Sequence, residues 1–185
     1  MNYGEIKTND VANGEGVRLS LFVSGCRNHC PGCFNKETWD FNFGKEFTDD
    51  VESQILKELY KPQYQGISIL GGEPLEPENL ERVAQLCYMV KTTMPNKDIW
   101  LYTGYTLEDI YLEEEYKWNK HNNTLEELAY SIDFGTLLMK VDVIVDGKFI
   151  EELKDLTLKF RGSSNQRIID MNRTREEKKI VLWDK

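Results

Sequence analysis

The sequence contains no apolar run of about 18 residues, so no membrane-spanning helix is expected, and it has no charged-then-apolar opening of the kind that marks a secretory leader. Basic residues are in short supply. Lys and Arg number 23 against 32 Asp and Glu, a net charge of −9 with a pI near 4.9, which argues against a nucleic-acid footprint because that needs a basic face. Cysteine is scarce too: there are 4, three of them in one loop, unlike the dispersed framework of a secreted disulfide scaffold. What is left is the makeup of a cytoplasmic globule in reducing surroundings, 40% apolar and 30% charged, whose partners are proteins and small molecules. At 185 residues the chain is long enough for a real core, and a single domain spanning residues 1–185 is expected.

The clustered cysteines Cys26, Cys30 and Cys33 lie in the loop Cys26-Arg27-Asn28-His29-Cys30-Pro31-Gly32-Cys33, directly after an apolar run, Val17 to Val23, that reads as a buried strand. Buried structural cysteines are scattered as small hydrophobes and are not gathered around Pro-Gly and Ser-Gly turns, so this grouping points to a metal. A structural zinc site takes four closed ligands, usually in two pairs, and no second Cys/His pair occurs in the chain. A cubane iron–sulfur cluster normally takes one Cys per iron, so three thiolates leave one iron open to an outside ligand. The rival from a different class is a zinc-stabilised interaction module that adds Cys87 or a histidine to the three. Cys87, however, falls mid-helix at an apolar position and reads as core, and His29 reads as a solvated loop side chain.

The loop CRNHCPGCFN resembles the Cx₃Cx₂C signature of radical S-adenosylmethionine enzymes, most closely that of the anaerobic ribonucleotide reductase activating proteins. LFVSGC (Leu21 to Cys26), LGGEPL (Leu70 to Leu75), LYTGYT (Leu101 to Thr106), VDGKF (Val145 to Phe149) and FRGSSNQRIID (Phe160 to Asp170) are similar to that family's blocks in its order. The resemblance implies that Cys26, Cys30 and Cys33 hold a 4Fe-4S cluster whose fourth iron is chelated by S-adenosylmethionine through its amino and carboxylate groups. Gly32, Cys33, Phe34, Gly71, Gly72 and Glu73 are the implied cofactor contacts, with Phe34 the candidate for stacking because Gly32 occupies the commonly aromatic position before the last cysteine. It also implies that one electron, from a donor such as flavodoxin or ferredoxin, cleaves the cofactor to methionine and a 5′-deoxyadenosyl radical. That radical takes hydrogen from a glycine of the reductase large subunit. Activation of a different glycyl-radical enzyme, or radical chemistry on a small molecule, is the alternative within the same superfamily. An exposed cluster of this kind is oxygen-sensitive, which points to anaerobic life.

The rest of the chain supplies the frame. Residues Met1 to Glu15 are polar, with turns at Asn9-Asp10 and Asn13-Gly14-Glu15-Gly16, and Arg18 reads as a solvent-facing or partner-facing strand charge. Phe34, Trp39, Phe41 and Phe43 are dense enough to shelter a cluster from water. Thr48 opens a helix with acids in its first turn; Gly66 to Leu70 makes a strand running into Gly71-Gly72-Glu73-Pro74; a second helix starts near Pro77; Ile99 to Tyr102 is a strand ending at Thr103-Gly104. Leu107 to about Phe134 reads as helical and charged, with Glu113 to Thr124 an elaboration and His121 on the surface. Val141 to Val145 is a fourth strand, and Ile180 to Trp183 a short closing one. Asp142 and Asp146 are candidates for a nucleoside's hydroxyls, or simply a turn. Arg161 and Arg167, in a loop with Ser163, Ser164, Asn165 and Gln166, are candidates for cradling a carboxylate or a peptide. Alternating strands and helices predict an α/β fold with parallel strands and its site at their carboxyl ends. The chain is too short for a full barrel of about 250 residues, so a partial, open (β/α) barrel of the radical S-adenosylmethionine type is expected.

Overall fold

The computed structural model describes residues 1–110 and 134–184. Most of the Leu107 to Phe134 stretch, including Glu113 to Thr124 and His121, lies outside the described residues. Among the described residues, seven strands form one sheet: β1 (Asn2–Asp10), β2 (Arg18–Val23), β3 (Lys45–Glu46), β4 (Gly66–Gly71), β5 (Asp98–Tyr102), β6 (Val143–Asp146) and β7 (Arg167–Asp170). Their order is β3-β1-β2-β4-β5-β6-β7, and only β2, β4, β5 and β6 run parallel; β1, β3 and β7 are antiparallel additions. The sheet is therefore mixed, where parallel strands were expected.

The parallel centre follows from residue alternation. On β2, β4 and β5, Leu19, Leu21, Val23, Ile67, Ile69, Ile99 and Leu101 point to one face and are all fully buried. Among the described residues, α1 (Asp49–Leu59) and α2 (Pro77–Thr93) cover that face, and helical residues 107–110 and 134–140 add Leu107, Ile110, Phe134 and Leu137 to the same core. Thr48 caps α1, its hydroxyl accepting from Val51 N at 3.4 Å, and Asp49, Asp50 and Glu52 suit the positive end of the helix dipole. Pro77, which has no amide hydrogen to leave unpaired, starts α2, whose Leu80, Val83, Leu86, Cys87 and Val90 pack into the same core. Each such aliphatic side chain contributes roughly 1.5–3 kcal/mol by leaving water.

The opposite face of the sheet is different. There Trp100, Val143, Val145 and Ile168 form a second, smaller cluster with Tyr102, Phe160 and Trp183 packed against it. Arg18 also belongs to this side and overturns the expectation of a solvent-facing charge. It is fully buried, donating from Nε to Ser68 Oγ at 2.7 Å and from its terminal nitrogens to Ile67 O at 2.9 Å and Glu15 O at 3.0 Å. An ion pair with Asp98 and the Trp100 ring 5.3 Å away complete its surroundings. A guanidinium has five donors, and here the neighbouring strands and the Gly14-Glu15-Gly16 turn supply enough acceptors to offset desolvation.

The polar opening residues also differ from expectation. They form β1, a full strand paired with β2, with register shifts between Tyr3 and Glu5 and between Lys7 and Asp10. Near the other end, β7 pairs antiparallel with β6, a last helix spans Met171–Glu177, and the expected closing strand is reduced to one bridge between Ile169 and Leu182.

Candidate functional site

The cysteine loop leaves β2 at its carboxyl end and is fixed from three directions. Gly25 N donates to Thr38 O at 2.8 Å and Cys26 N to Trp39 O at 3.2 Å, tying the loop's start to the short helix Lys36–Trp39. Gly72 N donates to Val23 O at 2.7 Å and Glu73 N to Gly25 O at 2.8 Å, so the end of β4 is stitched to the same backbone. At the start of α2, Glu76 accepts from Arg27 N at 2.8 Å and, with Glu78, pairs the Arg27 guanidinium, which lies 4.4 Å over Phe41. Gly72 is needed for this closeness: a Cβ there would stand 2.5 Å from Gly25 O and 3.0 Å from Thr38 O.

A cavity of about 390 Å³ opens on this side of the sheet, and Cys26, Cys30 and Cys33 all line it. Phe34, Gly71, Gly72 and Glu73 line it as well, so the two blocks singled out in the sequence meet around one space. Gly32 is the exception. It sits on the loop's turn with a left-handed φ of 69°, a Cβ there would stand 2.7 Å from Glu151, and it is not among the cavity's walls. Of the four aromatics after the loop, Phe34 and Trp39 border the cavity, while Phe41 packs on Gly25 and Phe43 on Gly4. His29 is exposed, as expected, and stacks on Trp39 at 4.6 Å.

Three thiols and no imidazole make a soft donor set that suits iron–sulfur ligation. Burial, reinforced by Glu73 and Glu76, holds the Cys26 thiol up at about 11, and burial also raises Cys30, so a bound cation must draw their protons off. Asn35 N donates to Cys33 Sγ at 3.4 Å, the kind of bond that tunes a cluster's potential. Cys87 belongs to the core under α2, fully buried with its thiol raised by burial. Among the described residues, no three Cys, His, Asp or Glu side chains converge on a single metal ion.

Glu73 is the buried acid of the site, 1% exposed, with its carboxyl raised by burial to about 7. Both oxygens are occupied. Oε1 accepts from Thr103 Oγ1 at 2.8 Å and Leu75 N at 3.1 Å, and Oε2 from Gly104 N at 2.7 Å and Asn28 Nδ2 at 3.2 Å. Thr103, Gly104 and Asn28 were missed as site residues, although the Thr-Gly pair at the end of β5 was the available signal.

Two groups of candidates are used elsewhere. Asp142 pairs with Lys91 at 2.6 Å and accepts from Ile99 N at 2.8 Å, while the buried Asp146 accepts from Leu107 N at 2.8 Å and from Arg167 Nε at 3.0 Å. Neither borders the cavity. Arg167 is consumed by Asp146 and Glu108, whereas Arg161 lines the cavity and donates to Gln166 O at 2.8 Å.

The family model of a 4Fe-4S single cluster domain matches residues 12–169. The chain is 40% identical over 168 residues to the anaerobic ribonucleoside-triphosphate reductase-activating protein of Escherichia coli K12, covering 90% of this chain and 96% of that one. It is 41% identical over 168 residues to the protein of that name from Vibrio cholerae, with 90% and 96% covered. To the one from Enterobacteria phage T4 it is 40% identical over 168 residues, with 91% and 93% covered. With cysteine loop, glycine block and cavity in one place and similarity along nearly the full length, the chain belongs to the family of anaerobic ribonucleoside-triphosphate reductase-activating proteins.

Proposed function

We propose that this protein is the activase of an anaerobic ribonucleotide reductase, generating a glycyl radical on the reductase large subunit. Three thiols converging on one cavity beside Gly71, Gly72 and Glu73 carry the reading. Cys26, Cys30 and Cys33 would hold a 4Fe-4S cluster, and Cys33, Phe34, Gly71, Gly72 and Glu73, which line the same cavity, would contact S-adenosylmethionine. Gly32 contributes through the shape of the loop. Residues 1–185 act as one domain, with the parallel strands forming the arc of an open, partial barrel. A cluster held by these three thiolates would supply the one-electron chemistry for reductive cleavage of S-adenosylmethionine, the source of hydrogen abstraction from a glycine.

The chain's own residues orient and enclose. Cys26 and Cys30 give up protons to become ligands. Glu73, its four acceptor positions taken by Thr103, Leu75, Gly104 and Asn28, fixes the ends of β4 and β5 against the cysteine loop and so holds the cavity's shape. Phe34 and Phe149, in edge contact at 5.4 Å, screen the cavity beside Cys33 from water. The electron comes from a small donor such as flavodoxin or ferredoxin. The proposed place of action is the cytoplasm; among the described residues no helix is long and apolar enough to cross a membrane.

Serine at any one of Cys26, Cys30 or Cys33 should abolish reductive cleavage of S-adenosylmethionine by anaerobically reconstituted protein, whereas Cys87→Ser should retain iron and cleavage. Full activity in a loop variant would refute the assignment. Electron paramagnetic resonance of the reductase after turnover then separates this activase from one serving another glycyl-radical enzyme.

A further inference from the structure

Residues 147–166 fold over the mouth of the cavity as a loop with its own internal scaffold. Gln166 Oε1 accepts from Gly162 N at 2.9 Å and Ser163 N at 3.2 Å, while its Nε2 donates to Gly147 O at 3.0 Å. Asn165 Nδ2 donates to Lys148 O at 2.8 Å, and Ser163 Oγ accepts from Ile150 N at 3.2 Å. Ser163, Asn165 and Gln166 thus spend their polar groups on latching this loop. What the latch holds up is apolar. Leu156 is 79% exposed, Leu153 41% and Ile150 38%, next to Phe34 at 59%. The loop's exposed charges are of both signs, Lys148, Lys154 and Lys159 beside Glu151 and Glu152, and the Lys154 ammonium lies 4.9 Å over the Phe34 ring. Apolar side chains grouped at the surface beside a cavity mark an interaction site, and here a braced loop displays them.

We infer that residues 147–166, together with Phe34, form a preformed collar on which the reductase docks. Ile150, Leu153 and Leu156 meet apolar side chains around the glycine. The inference rests on the proposed activase function, because a glycine inside a folded protein reaches this cavity only if its host sits on the rim. Bracing by Gln166 and Asn165 keeps the ordering cost of association low.

The test uses anaerobically reconstituted protein and the anaerobic ribonucleotide reductase large subunit. The double substitution Ile150→Asp, Leu153→Asp should raise the reductase concentration for half-maximal glycyl radical formation about tenfold or more, with S-adenosylmethionine cleavage without reductase unchanged. Tyr60→Asp, at an apolar side chain 75% exposed outside the collar, should change neither. Because the double variant risks disturbing the loop, hydrogen exchange of the unsubstituted protein gives a second readout, with protection of residues 147–160 on adding reductase. A radical that forms with unchanged half-saturation, or binding that leaves these amides unprotected, overturns the collar and leaves the activase intact. Failure of the unsubstituted protein to produce any radical on the reductase overturns the activase reading itself.

Discussion

Burial raises the Glu73 carboxyl from 4.5 to about 7, even though Gly104, Leu75 and Thr103 all donate to it. Its folded-state value therefore lies above that of the unfolded chain, and between the two the folded protein holds a proton that the unfolded chain has lost. Stability is fullest below the unfolded value and declines as pH rises through the folded one. The decline is on the order of 3 kcal/mol, at about 1.4 kcal/mol per tenfold in proton affinity. Urea titrations of cluster-free protein from about pH 5 to 8 should show it, and Glu73→Gln should flatten the profile; an unchanged slope in that variant would assign the effect to other groups. Gly72 makes a different prediction, of sterics alone. Alanine there must push Gly25 O or Thr38 O away, so Gly72→Ala should lower stability by roughly 1–3 kcal/mol and reduce the iron retained after reconstitution. Normal iron content in that variant would show that the loop tolerates the displacement.

Between β2, β4 and β5, Arg18 is the internal tie, and its removal leaves Ser68 and the Ile67 carbonyl without their donor. Arg18→Ala should cost about 3–5 kcal/mol in denaturant titrations, because it strips the partner from a paired carboxylate as well as opening a cavity. A loss below about 1 kcal/mol would mean that water replaces the guanidinium there. The buried strands and both long helices were legible because apolar period and end signals agree: Val17 to Val23 alternates into β2, and Thr48 and Pro77 mark the starts of α1 and α2. Asn2–Asp10 was not, since a strand with mostly exposed or half-buried side chains shows no apolar alternation and its existence depends on a partner edge. Arg18 was misjudged for a related reason. Charge on a strand usually means solvent, and the acceptors that bury it come from Ser68, Ile67 and Asp98, distant in sequence. The site was legible as two blocks, Cys26 to Cys33 and Gly71 to Glu73. That Thr103, Gly104 and Asn28 hold the acid between them depends on strand order, which no local pattern encodes.

The parallel centre and the cysteine loop are joined by few backbone bonds, so they should respond separately to cluster loading. Strands β2 and β4 have neighbours on both edges and fully buried side chains facing α1 and α2, whereas the two-residue β3 is an exposed edge. The loop hangs instead on bonds from Gly25 to Thr38, Cys26 to Trp39 and Glu73 to Gly25, which close a small unit around residues 24–39 and 72–73. Amides of β2, β4 and β5 should exchange slowest, at the cost of global unfolding, and those of β3 should exchange fastest among the strands. A ligand that binds only the folded form stabilises whatever opens when it leaves. Anaerobic reconstitution should therefore add protection at residues 24–39 and 72–73 while leaving β4 and β5 unchanged. If protection instead rises by the same factor throughout the sheet, loop and sheet unfold as one cooperative body, and the cluster stabilises the fold as well as the site.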